Sequence, residues 1–259
     1  MNPRNRADNI LRELRQEGDL SVEDLIKKLG ASAASVRRDL TKLEAKGLVR
    51  RTHGGVTLVE PLLYEPFRYD FLFQSRVQHR SGEKRRIGLI AAELIQENET
   101  VGFTAGTTTT HVARNLRNRH NIRVITNAIN IAMELSNCAG LRTYVTGGFV
   151  QWAGSFSLVG HAAVDSLKDI YMDRVFVSAC GVDIARGITV IESEEALTFR
   201  TMIQQAKQVV IVADSSKIGL VSPSLICHIT AVNMLVTDTH ATEKAVAPFV
   251  ERGIDVRRV

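Results

Sequence analysis

Cysteine is scarce in this 259-residue sequence: Cys138, Cys180 and Cys227 stand far apart, with no C-x-x-C pair. So few and so spaced, they supply neither a disulfide framework nor a zinc site. No apolar run reaches the roughly eighteen residues of a membrane helix, which argues against a span and any membrane partner. The start, MNPRNRADNILRELRQEGD, is charged and lacks the apolar stretch and cleavage site of a signal peptide. The expected location is cytoplasmic. Also missing are G-x-S-x-G, G-x-G-x-x-G and any H-x-x-x-H pair among the seven histidines. Their absence removes the sequence case for a hydrolase elbow, a dinucleotide fold or a metal site. No catalytic set, metal or cofactor is expected.

What is present is an ordinary globular composition, 44% hydrophobic and 24% charged, in a length that suits one large domain or two small ones. The net charge of +5 is unevenly placed. Residues 1–60 carry 12 Lys and Arg against 9 Asp and Glu, residues 61–90 carry 6 against 3, and the remainder 15 against 16. A basic first third on a nearly neutral body suits a module that meets a polyanion, although a solvated basic face has the same charge.

Three helical patterns run through residues 4–51. Ala7, Ile10, Leu11 and Leu14 form one i, i+3, i+4, i+7 stripe, and Val22, Leu25, Ile26 and Leu29 form the next. Ser21, with Asp24 three residues on, reads as the second helix's N-cap, and Gly30 as its end. Ser32 is placed to cap a third helix bearing Val36, Leu40 and Leu43. Residues 48–59 read as two short strands around the turn Thr52-His53-Gly54-Gly55. Three small helices and a hairpin describe a winged helix-turn-helix. Small Ala33, Ala34 and Ser35 let the third helix enter a major groove, where Arg37 and Arg38 meet guanine edges or phosphates. A protein-binding helical module with solvated arginines is the plainer alternative.

The run Ser35-Val36-Arg37-Arg38-Asp39-Leu40, then Leu43-Glu44, then Gly47-Leu48-Val49-Arg50-Arg51-Thr52-His53-Gly54-Gly55, resembles the DeoR family of bacterial sugar-catabolism regulators. The resemblance implies operator binding by this winged helix. The expected DNA-contacting set is Ser32, Ala33, Ala34, Ser35, Arg37, Arg38, Lys42, Arg51 and His53.

Residues 61–80 have Pro61, Pro66 and scattered aromatics without a period, and read as a linker that packs on something. From Glu83 a helix is indicated by Ile87, Ile90, Ala91, Leu94 and Ile95. Beyond Glu99, apolar runs at 100–104, 123–126, 143–146, 174–178, 208–213 and 233–237 alternate with helical stretches. That alternation predicts a parallel or mixed sheet covered by helices. Polar motifs follow these strands, where open α/β sheets bind ligands: Gly106-Thr107-Thr108, Thr126-Asn127, Gly147-Gly148, Gly181-Val182-Asp183 and Asp214-Ser215-Ser216-Lys217. Gly106 and the threonines open a helix, whose free N–H groups favour an anion, and Lys217 is the cation a phosphate needs. Glu192-Ser193-Glu194-Glu195 reads as the charged start of a helix. Trp152 is placed to close over a sugar or to anchor a loop.

The same resemblance extends here. It implies an α/β effector domain similar to ribose-phosphate isomerases and coenzyme A transferases, which binds phosphorylated sugars or polyols. The expected contacts are Gly106, Thr107, Thr108, Thr126, Asn127, Gly147, Gly148, Gly181, Asp214 and Lys217. Two positions depart from the family pattern: Thr104, where aspartate is frequent, and Phe199, where many relatives have lysine. The expectation is therefore a repressor with residues 1–60 on DNA, 61–80 as linker and 81–259 for effector binding and self-association into dimers or tetramers. A sugar-phosphate isomerase-like enzyme with a basic appendage, or a protein-binding adaptor, are the alternatives.

Overall fold

The computed structural model describes residues 3–45, 48–52, 55–58, 71–151 and 154–259. His53, Trp152 and the first half of the expected linker, 61–70, lie outside them. The chain forms two compact units, 1–68 and 69–259.

In the first unit, α1 (Pro3–Glu17), α2 (Val22–Leu29) and α3 (Ala33–Ala45) precede a hairpin of β1 (Val49–Thr52) and β2 (Gly55–Leu58). Ser21 Oγ accepts the Asp24 N–H at 3.0 Å and starts α2, and Gly30, left-handed at φ 57°, ends it. The predicted stripes face inward: Ile10, Leu14, Leu25, Val36, Leu40 and Val56 are fully buried together. Each such side chain contributes about 1.5–3 kcal/mol of burial. Leu20 and Val56 exchange backbone hydrogen bonds at 3.1 and 2.8 Å, tying the α1–α2 turn to the hairpin. This is a winged helix-turn-helix.

The second unit begins with α4 (Phe71–Gln78) and α5 (Ser81–Glu93). There follow β3 (Thr100–Phe103), α6 (Thr107–Arg114), β4 (Ile122–Thr126), α7 (Ile129–Leu135) and β5 (Leu141–Val145). Next come β6 (Phe149–Gln151), β7 (Ser157–Val159), α8 (His161–Asp165), β8 (Met172–Val177), β9 (Gly181–Asp183) and β10 (Gly187–Val190). The chain ends with α9 (Ser193–Gln204), β11 (Ala206–Val212), β12 (Ser224–Cys227), β13 (Met234–Thr237), α10 (Glu243–Val250) and β14 (Asp255–Arg258).

Seven strands form one parallel sheet in the order β14-β13-β11-β8-β3-β4-β5. Its central strands end in unbroken buried runs such as Val209–Val212, because helices cover both faces of a parallel sheet. Phe103 and Phe176 stack across neighbouring strands with centroids 5.3 Å apart. From β3 the chain steps outward through β4 and β5, then returns to the other side of β3 at β8. The strand order therefore reverses between β3 and β8. No helix among the described residues is long and apolar enough to cross a membrane.

Three features differ from the sequence expectation. Residues 71–78, inside the stretch read as linker, are helical: Phe73 is buried edge-on against Phe156 (4.9 Å, 74°), and Val77 follows one turn on. Gly181-Val182-Asp183, read as a loop motif, is β9, which pairs with β10 and β12 in a small antiparallel sheet. Asp255–Arg258 is a strand despite its charges, which suit the edge it occupies.

Candidate DNA-binding face and anion cavity

Helix α3 divides cleanly. Val36, Asp39, Leu40 and Leu43 are buried, while Ser32, Ala33, Ala34, Arg37, Arg38, Thr41 and Lys42 are exposed and Ser35 is half-buried. Ser32 Oγ accepts the Ser35 N–H at 3.3 Å, capping the helix as expected. Arg38 and Lys42 sit one turn apart, and their side chains make no ion pair among the described residues, leaving both cations available to a polyanion. Arg51 is engaged instead: its guanidinium donates to the Arg37 carbonyl (3.1 Å) and to Thr41 Oγ1 (2.6 Å). Asp39 does a job the motif does not announce. It accepts from Arg6 Nε at 2.6 Å beneath α3, fastening that helix to α1.

In the second unit a cavity of about 200 Å³ opens at the carboxyl ends of β3, β8 and β11, where the strand order reverses. Thr107, Thr108, Asp214 and Lys217 line it, as do Ser178, Ala179 and Cys180 after β8. Gly106 opens α6 so closely against Ser178 that a Cβ would collide with that side chain. Helix α6 thus brings its first turn, whose N–H groups have no partner within the helix, to the cavity wall. Asp214 Oδ1 accepts the Ser216 N–H at 3.1 Å and the Ser216 hydroxyl, shaping the loop that carries Lys217. Arg80 Nη1 donates to Ser215 Oγ at 2.7 Å, and its Nε stands 3.8 Å from Asp214.

Eight cavity residues escaped the sequence reading: Ser75 and Arg76 on α4, His79 just beyond it, Lys84 on α5, Ser178, Ala179 and Cys180 after β8, and Ala213 after β11. Lys84 is only 4% exposed, and its ammonium donates to the Arg76 carbonyl. Burial pushes its pKa down to about 8, against the upward pull of the Asp214 carboxylate. A signal was present, since Lys84 falls in line with Ile87, Gly88 and Ala91 on the buried face of α5. Arg76 also donates to the Gly154 carbonyl at 2.8 Å and faces Glu195. Glu195 opens α9 but is buried, which raises its pKa, while the Ser155 hydroxyl and Arg76 oppose the rise.

The remaining expected contacts lie elsewhere. Thr126 donates to the Phe103 carbonyl (2.8 Å); Asn127 accepts the Ala105 N–H (2.9 Å) and donates to Ser157 Oγ (2.8 Å). Both are fully buried braces between strand ends. Gly147 and Gly148 connect β5 to β6, and Gly181 begins β9 against Leu220. Thr104 is a buried tie between β3 and β8, its hydroxyl accepting the Ser178 N–H at 3.0 Å. Phe199 is a core side chain of α9.

Comparison with known proteins agrees with both units. A model of the DeoR-like helix-turn-helix domain matches residues 6–61, and a model of the DeoR C terminal sensor domain matches residues 79–239. The HTH-type transcriptional repressor GlcR of Bacillus subtilis is 34% identical over 88% of this chain and 86% of its own length. The HTH-type transcriptional regulator GlpR of Haloferax volcanii is 34% identical over 92% and 91%, and the transcriptional repressor AccR of Agrobacterium fabrum 33% over 90% and 89%. Among solved structures, a ribose 5-phosphate isomerase of Methanocaldococcus jannaschii shares 16% identity over 52% of each chain with a TM-score of 0.38, too slight a likeness to bear on function. With both halves matched, the helix-turn-helix domain before the sensor domain, the chain belongs to the DeoR family of transcriptional regulators.

Proposed function

We propose that the chain represses a carbohydrate catabolic operon, residues 1–60 holding double-stranded operator DNA and a phosphorylated sugar or polyol in the cavity controlling that hold. The observation that carries this reading is the cavity's charge. Three cations, Arg76, Lys84 and Lys217, line it with one carboxylate, Asp214, and the His79 imidazole, beside the amino end of α6. That is an arrangement for a dianion. A volume of about 200 Å³ leaves room for a phosphate and a short polyol.

Control follows from connectivity. Helix α4, which follows the 61–70 connector, supplies one wall of the cavity; Lys84 holds its Arg76 carbonyl, and Arg80 just beyond it ties to Ser215 in the Asp214 loop. A phosphate that draws Lys84 away from the Arg76 carbonyl loosens the carboxyl end of α4, the helix whose amino end the connector meets. Residues 81–259, with this wall, also carry self-association into a dimer or tetramer, since two-fold operators are read by two-fold proteins. The domain has no enzymatic role in this reading, because Asp214 is engaged in shaping its own loop.

The test is calorimetric titration with pentose, hexose and polyol phosphates, alongside operator binding by anisotropy. One of them should bind and shift operator affinity, since an effector acts through its different affinities for two states. Phosphosugar binding without any change in operator affinity refutes the control. Isomerase turnover lost in Asp214→Ala refutes the regulator-only reading.

A further inference from the structure

A second hollow, of about 460 Å³, lies at the opposite end of the sheet, at the amino ends of β3, β4 and β5. Arg123 on β4 and Arg142 on β5 line it as direct register partners. Adjacent strands stand about 4.8 Å apart and register partners project to the same face, so the two guanidinium groups share one side of the sheet. Like charges side by side on neighbouring strands are destabilising. Neither arginine has a carboxylate within ion-pair distance among the described residues, and no acidic residue lines the hollow. By contrast Arg174, on the same end of β8, is held by Glu99 at 2.7 Å.

The rest of the wall adds hydrogen-bond donors. His120 lines the hollow because the 119–121 turn packs directly on Gly140, where a Cβ would collide with the Arg119 carbonyl and His120 Nδ1. Asn98 and Asn121, both left-handed at φ 68° and 57°, are joined by the Asn98 N–H donating to the Asn121 carbonyl at 2.7 Å. Both also line this space.

We propose that this hollow is a second oxyanion site, in which Arg123 and Arg142 together grip a phosphate group and His120 with the two asparagines surround it. Guanidinium forks match phosphate oxygens in pairs, and a dianion removes the repulsion between the arginines. The phosphate belongs either to a free small molecule or to the DNA backbone, and two readouts separate them.

Pyrophosphate is titrated by calorimetry into the full chain without DNA, and operator binding is followed by anisotropy across a salt series. The proteins are wild type, Arg123→Gln/Arg142→Gln and, as a control of equal charge change, Lys207→Gln/Lys244→Gln. A small-molecule site predicts that the arginine pair weakens one class of pyrophosphate binding at least about 10-fold, a class that Lys217→Ala leaves intact. A backbone contact predicts instead that the salt slope of operator binding falls by about 0.9, for the one phosphate the pair grips. Unchanged isotherms with an unchanged slope overturn the proposal, as does an equal effect from the lysine control. Unfolding midpoints matching wild type establish that the variants fold.

Discussion

The Arg51 guanidinium on the wing donates to the main-chain carbonyl of Arg37 on α3, and its own backbone N–H donates to Glu44 Oε1 at 3.2 Å. Strand and helix are therefore braced to each other on the exposed side of the winged helix. The cation in the R-x-H-G-G motif sets an angle between two elements, while Arg38 and Lys42 project beside it.

Arg51 and Arg38 should separate in a salt series. Arg51→Ala is expected to weaken operator binding with the salt slope unchanged. Arg38→Ala should lower the slope by about 1 if it meets phosphate, or cost about 1–3 kcal/mol and relax one base position if it reads guanine. A slope change of about 1 on Arg51→Ala would move that residue to the DNA backbone.

Asp39 lies beneath α3 with its carboxylate 4% exposed against Arg6. Removing one member of a buried pair leaves the other charge unpaired, at a cost of about 3–5 kcal/mol. Asp39→Ala should lose that much in urea unfolding, and Arg6→Met/Asp39→Leu should recover most of it. A loss below about 1 kcal/mol from the single change would mean that solvent already screens the pair.

Lys217 lies in the cavity loop, in the other compact unit from α3. Lys217→Ala should leave ligand-free operator affinity nearly unchanged and weaken the phosphorylated effector about 10- to 150-fold. Calorimetry beside anisotropy measures both, and effector binding equal to wild type would displace the site.

Lys84 makes effector binding and stability depend on pH in opposite senses. Its folded pKa of about 8 lies below the ordinary lysine value of 10.5. Between those values the unfolded chain holds more protons, so this residue makes stability rise with pH across that window. The anion needs the charged ammonium, so its affinity should fall above about pH 8. It should also rise through about pH 6 as the phosphate becomes dianionic. Lys84→Met should remove the upper limb of the binding profile and flatten the stability profile; an unchanged upper limb would assign it to another group.

Much of the first unit was legible because its signals are local. Stripes at 10, 11 and 14 or 25, 26 and 29, with caps at Ser21 and Ser32, need only neighbouring residues to act. Helix α4 was not legible, because Phe73 becomes core only on meeting Phe156, about eighty residues on. Lys84 was hidden by its own chemistry: a lysine on an apolar stripe makes sense only once the Arg76 carbonyl and Asp214 surround it.

The sequence by itself determined the helix-turn-helix, the alternation of strands and helices, and the polar motifs at the strand ends. It did not determine which of those ends meet. Strand β3 lies between β4, its successor, and β8, some seventy residues later, through pairings such as Gly102 with Val175. That long-range choice brings Thr107 and Thr108 to Asp214 and Lys217, while Thr126 and Asn127 become buried braces. Local periodicity sets what each segment is; the burial of both sheet faces sets which strands become neighbours, and so where the cavity forms.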